Sequence, residues 1–293
     1  MPHLAQTAGA EELFTEVDGA RVRYLRSGSG PALILLHGLL GYSFSWRFTL
    51  PALAEIATCY AVDLPGTGYS DAPSGLDRTL RATAERVLKF IDALGLKSYD
   101  LLGTSHGGAV AQLVAAISAE RGDRRLERLI LVAPVNPYSR HGRLLAPLIG
   151  SRPGSFLFRR TVMRWRILDS VWLRRMFGDT HRIPPDSLAG YRAPILERNG
   201  FEHGLHIVRS WTRDLHELEG ALPTISHYPT LLMWGTKDPA VPVYSADPLR
   251  ARFRNCRLVT FPGAGHLPYE ELPADFNHAL SEFLIDQKRS SAD

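Results

Sequence analysis

Ala32-Leu33-Ile34-Leu35-Leu36 is apolar at every position, and a short run of this kind fits a strand covered on both faces. The pattern recurs down the chain. Strand-like runs at residues 58–62, 99–102, 129–133, 230–234 and 257–261 alternate with apolar residues at helical spacing over 80–94, 106–119 and 276–285. Such alternation implies a mostly parallel sheet with helices on both faces. Ahead of it, Phe14-Thr15-Glu16-Val17 and Val22-Arg23-Tyr24-Leu25 read as a hairpin turning at Asp18-Gly19. Eight strands are therefore expected.

In sheets of this type ligands gather at the carboxyl ends of the strands, so the residues that follow each run matter most. Leu101-Leu102-Gly103-Thr104-Ser105-His106-Gly107-Gly108 reads as a strand, a serine on a sharp turn and the start of a helix, in the pattern G-x-S-x-G. A serine hydroxyl holds its proton at neutral pH and attacks only when a base removes it. The small residues have a mechanical reason: a Cβ at Gly103 or Gly107 would collide across so tight a turn. A base and an orienting acid are needed as well. Asp238 follows the run Leu231-Leu232-Met233-Trp234-Gly235, and His266 follows Val259-Thr260-Phe261-Pro262-Gly263-Ala264-Gly265. The position after the sixth strand holds Val135-Asn136-Pro137 and offers no carboxylate. The second glycine cluster, Ser27-Gly28-Ser29-Gly30, opens no helix, so it does not read as a dinucleotide site.

Composition narrows the function classes. A formal charge of +4, from 34 Lys and Arg against 30 Asp and Glu, is too balanced to suggest nucleic acid. The first eleven residues show no basic region followed by an apolar run, and no stretch reaches the length of a membrane span. A soluble, cytoplasmic monomer or homodimer is expected, acting on a small molecule without stable membrane insertion. Cys59 and Cys256 lie in separate apolar runs and are expected to be buried free thiols.

One segment breaks the rhythm. Residues 136–228 contain no convincing strand and are rich in Arg, Trp, Phe and Pro, with no lysine. A long insertion of short helices between two core strands reads as a lid, or cap, over a core made of residues 1–135 and 229–293. Its arginines read either as a solvated face or as an attraction for anionic substrate or a lipid surface. His203 and His206 have i, i+3 spacing but no third ligand at a known spacing, so a metal site is not expected.

Together these motifs resemble the α/β-hydrolase family, in its lidded, serine-esterase-like form. The resemblance rests on His37-Gly38, on Asp63-Leu64-Pro65-Gly66-Thr67-Gly68-Tyr69-Ser70, on the serine turn, on Gly235-Thr236-Lys237-Asp238, and on Gly265-His266 with Glu271 and Pro273 after it. It covers nearly all of the chain outside the insertion. It implies an α/β-hydrolase fold and a Ser105–His266–Asp238 triad. It also implies an oxyanion hole made by the backbone N–H groups of Leu39 and His106, and no cofactor or metal. His37 would shape the oxyanion loop, and Asp63 would fix the turn after it. The His106 side chain is open between substrate contact and packing.

The expected reaction is cleavage of a carboxylic ester or lactone through an acyl-enzyme. Dehalogenases and epoxide hydrolases of this scaffold use an aspartate nucleophile, whereas this chain has Ser105. A carbon–carbon bond hydrolase of ring-cleavage products, on the same triad, is the alternative. A ligand receptor that has kept the hydrolase fold is the alternative from another class.

Overall fold

The computed structural model describes residues 9–139, 148–162, 173–197 and 200–290. Its centre is an eight-stranded sheet: β1 (Glu11–Val17), β2 (Ala20–Ser27), β3 (Ala32–Leu36), β4 (Thr58–Val62), β5 (Tyr99–Thr104), β6 (Leu126–Val132), β7 (Thr230–Gly235) and β8 (Cys256–Phe261). Their spatial order is β1-β2-β4-β3-β5-β6-β7-β8. The β1–β2 and β2–β4 pairs are antiparallel; every other pair is parallel. The expected hairpin is present. Asp18 and Gly19 both take positive φ, +51° and +73°, as the twist of a two-residue hairpin turn requires.

The apolar runs sit where sequence places them, in the middle of the sheet. Leu33 to Leu36 are fully buried, and β5 is buried along its length. Helices cover both faces, which divides the core into two apolar clusters. On one face lie α1 (Thr49–Leu53) and, at the end of the chain, a long helix over Pro273–Ser290. On the other lie α2 (Leu80–Ala93) and α3 (Ser105–Glu120). Thr79 caps α2, its hydroxyl accepting the Ala82 amide at 3.3 Å. α3 is buried nearly all round, because it lies between the sheet, α2 and a helix of the insertion.

Two expectations need correction. The final helix begins at Pro273 rather than 276, with proline at the first position, where its missing N–H costs nothing. Cys59 is a buried thiol as expected, but Cys256 is only half-buried. β8 is the edge strand of the sheet and all its residues except Phe261 are half-buried or exposed, so one side of it lacks a covering neighbour.

The insertion between β6 and β7 is helical, with no strand among its described residues. Its main helices are α4 (Arg152–Val162), α5 (Ser187–Glu197) and α6 (Gly200–Ala221). A buried polar knot docks α5 onto the core. Arg47 forms a bidentate ion pair with Glu270, both side chains almost wholly buried. Arg47 also donates to Ser187 Oγ at 2.8 Å and to Asp186 at 3.0 Å, while the Tyr191 hydroxyl donates to Glu270 at 2.8 Å. Each buried charge thus has its partner, the condition for such a pair to be tolerated.

Candidate active site

β3 to β8 are parallel neighbours, so their carboxyl ends share one edge of the sheet. All the candidate residues stand there. Ser105 follows β5 directly and adopts φ +53°, a left-handed conformation that costs a β-carbon-bearing residue roughly 1–3 kcal/mol. The turn is locked by backbone on backbone. A Cβ on Gly103 would overlap the Gly107 carbonyl oxygen, and one on Gly107 would overlap the carbonyl oxygens of His37 and Leu36. The steric reading of the two glycines therefore holds. Gly38 packs against the Ser105 side chain.

Asp238 and His266 leave the ends of β7 and β8 and meet. His266 Nδ1 lies 2.7 Å from Asp238 Oδ2, with both side chains buried. The other carboxylate oxygen accepts the amides of Ala240 (2.8 Å) and Val241 (2.9 Å), which fixes its orientation. The loop carrying His266 is braced in turn. The His266 amide donates to the Met176 carbonyl at 2.6 Å. Glu271 accepts three amides: Gly265 at 2.8 Å, Gly178 at 2.9 Å and Asp179 at 2.9 Å. One carboxylate thereby joins the His266 loop to the insertion. Among the described residues no hydrogen bond links Ser105 Oγ to His266. Such bonds are often long in a site without substrate and tighten when it binds.

Leu39 follows β3, and its amide donates to no described residue. The His106 amide lies in the first turn of α3, where the helix leaves its N–H groups without intrahelical partners. His37 shapes the loop between them. Its Nε2 accepts the Leu64 amide at 3.2 Å, so the ring proton sits on Nδ1 and is donated to the Gly38 carbonyl at 2.8 Å. Burial keeps this ring neutral by lowering its pKa. Leu40 takes φ +62° and lies against α6 at Gly204. Asp63 fixes the next turn, accepting the amides of Ser43 (2.7 Å) and Tyr69 (2.9 Å) and an ion pair from Arg23.

The His106 side chain is packed rather than solvated. It is almost fully buried, its pKa pushed down to about 4 by burial and then by His37, and it faces the Trp211 ring of α6 with centroids 6.3 Å apart. His203, weighed above as a metal ligand, instead accepts Arg78 Nε at 3.1 Å. Sequence reasoning missed Arg78. The Asp77-Arg78-Thr79 stretch signals a helix start, but nothing local tells that its arginine meets a histidine 125 positions away.

Residues 31–273 match the family model for the alpha/beta hydrolase fold, and the chain belongs to that family. It is 29% identical to haloalkane dehalogenase 2 of Mycobacterium tuberculosis over 272 residues, covering 89% of this chain and 91% of that protein. It is 26% identical to a 2-hydroxymuconate semialdehyde hydrolase of a Pseudomonas species, covering 92% of each. Among solved structures it resembles a membrane phospholipase A described as a bacterial virulence factor, at 28% identity and a TM-score of 0.73. That match covers 95% of this chain and 86% of the other. Family membership supports hydrolase chemistry. Among the described residues no helix is long and apolar enough to cross a membrane.

Proposed function

We propose that the chain is a serine hydrolase that cleaves a carboxylic ester or lactone. The observation that carries this reading is the buried Asp238–His266 hydrogen bond, formed at the same sheet edge that presents Ser105 on its strained turn. With Nδ1 engaged by Asp238, His266 Nε2 is the nitrogen that takes the Ser105 proton as Oγ attacks the carbonyl carbon. The oxyanion is held by the Leu39 and His106 amides, main-chain donors fixed before the reaction begins. The tetrahedral adduct collapses, the C–O bond breaks, and the alcohol leaves with the proton from His266. Water, deprotonated by the same nitrogen, then attacks the acyl-enzyme and releases the acid. Residues 136–228 serve as a cap over the core formed by 1–135 and 229–293.

A panel of short- and medium-chain aryl esters and lactones, with Ser105→Ala as control, tests the reading. Turnover should fall on the order of 10⁶-fold in the variant, and a fluorophosphonate should label Ser105. Ester turnover that survives the substitution unchanged would sink the mechanism. The 2-hydroxymuconate semialdehyde hydrolase relative supports carbon–carbon bond hydrolysis as the second reading. Cleavage of a ring-cleavage dienone faster than any ester in the panel decides for it.

A further inference from the structure

Beside the Leu39–His106 amides lies a small recess, lined by Arg78, Arg86 and Asp77 from the core and by His203 and Ile207 from α6. Its polar groups do not balance. Arg78 Nε donates to His203 and Nη1 to the Leu76 carbonyl at 2.9 Å. Among the described residues Nη2 has no partner and Arg78 pairs with no carboxylate. Its neighbour Arg86 donates to the Asp77 carbonyl and reaches an acid only at 4.0 Å, Asp18. Burial and the Arg86 charge both act against the Arg78 cation and lower its pKa. The Asp77 carboxylate accepts the Thr79 amide at 2.9 Å and offsets one of the two cations.

The two histidines add unmatched ring nitrogens. His203 Nδ1 accepts from Arg78, so its proton lies on Nε2, which has no partner among the described residues. His106 Nε2 is fully buried and also without a partner. A buried polar atom left unmatched costs about 1–3 kcal/mol, and His106 Nε2 is such an atom, close to a cation with no acid among the described residues. The close approach is itself constrained. Gly66 takes φ +87°, and a Cβ there would overlap the His203 ring, so the core turn admits the histidine only because it ends in glycine.

We infer that Arg78, His203 and His106 form a subsite for a carboxylate carried by the substrate, next to the proposed oxyanion hole. The inference rests on the serine hydrolase reading and narrows its substrate to a half-ester of a dicarboxylic acid. Charge favours a carboxylate over a phosphate. Arg78, Arg86 and Asp77 sum to +1, from two cations and one anion; a single negative charge neutralises that and a dianion overshoots it. The apolar walls, Leu39, Leu40, Leu64 and Ile207, strengthen the pairing by excluding water.

The test compares the mono-4-nitrophenyl ester of glutaric acid with 4-nitrophenyl pentanoate. Wild-type kcat/KM should favour the charged ester by about tenfold or more. Arg78→Gln should bring the ratio near one, Arg78→Lys should keep part of it, and His203→Gln should lower it. Glutarate alone is the second probe: it should raise the melting temperature of the wild type and not of Arg78→Gln. Glutarate stabilisation without cleavage of either ester leaves the subsite standing and removes the ester reading. Equal cleavage of both esters with no glutarate stabilisation removes the subsite and leaves the ester reading. If Arg78→Gln does not fold, Arg78→Lys and His203→Gln decide, and wild-type ratios in both overturn the inference.

Discussion

The turn that carries Ser105 and the loop that carries His266 are built by different physics, though they stand at one edge of one sheet. The serine turn is held by volume. Its glycine backbones touch the Leu36 and His37 carbonyls and the first turn of α3. The histidine loop is held by polar bonds: the Met176 carbonyl, the Asp238 carboxylate, and Glu271 with three amides. One should tolerate changes of charge and fail with a single added methyl group. The other should fail with the loss of a charge, and also with an added methyl, because a Cβ on Gly265 would overlap the Met176 carbonyl oxygen.

Asp238→Asn sharpens the contrast most. The asparagine oxygen can still accept the Ala240 and Val241 amides, so the loop should stay folded while the His266 proton moves to the wrong nitrogen. kcat should fall by about 10⁴ with the denaturation midpoint nearly unchanged; a large loss of stability would show that the acid is structural. Glu271→Ala is next. It strands the amides of Gly178, Asp179 and Gly265 and should cost about 3 kcal/mol in urea unfolding. A cost below about 0.5 kcal/mol would mean that water replaces the carboxylate and the loop is not braced by it. Gly107→Ala tests the other half. One methyl group against the His37 and Leu36 carbonyls should cost roughly 1–3 kcal/mol and displace Ser105; an alanine variant as stable and as active as the wild type would break the comparison.

A further effect comes from pH. His106 and His203 hold pKa values of about 4 and about 3, well below the ordinary value, chiefly through burial. The unfolded chain takes up their protons below about pH 6.5, while the folded chain leaves them neutral. Unfolded protein therefore binds more protons over that window, and stability should fall as pH drops from about 6.5 towards 4, by up to about 1.4 kcal/mol per pH unit per histidine. His203→Gln should flatten the slope. A stability that is constant between pH 7 and 4.5 would show that both rings titrate in the fold as they do in the unfolded chain.

Local pattern revealed the sheet and the candidate triad because both obey local rules. Runs such as residues 32–36 bury themselves wherever they occur, and Ser105, Asp238 and His266 each follow a strand directly. What escaped depends on distant pairing. Arg47 meets Glu270 and Ser187 across the molecule, and Arg78 meets His203; neither arginine differs locally from a solvated one. The half-exposure of Cys256 depends on β8 being the last strand in the spatial order, a fact of topology rather than of hydropathy. Short elements such as α1 were missed because five residues hold too little periodicity to announce a helix.

Glu271 has a mechanical consequence. Because it grips the histidine loop and residues 178 and 179 together, that flank of the insertion behaves as an anchor rather than a door. Swinging Met176–Asp179 away from the sheet would strip His266 of the acceptor for its amide and leave Glu271 with one donor of three. Opening on that side and holding the His266 loop in place are thus opposed states of one linkage. A substitution near Met176 would reach His266 by loosening the tether.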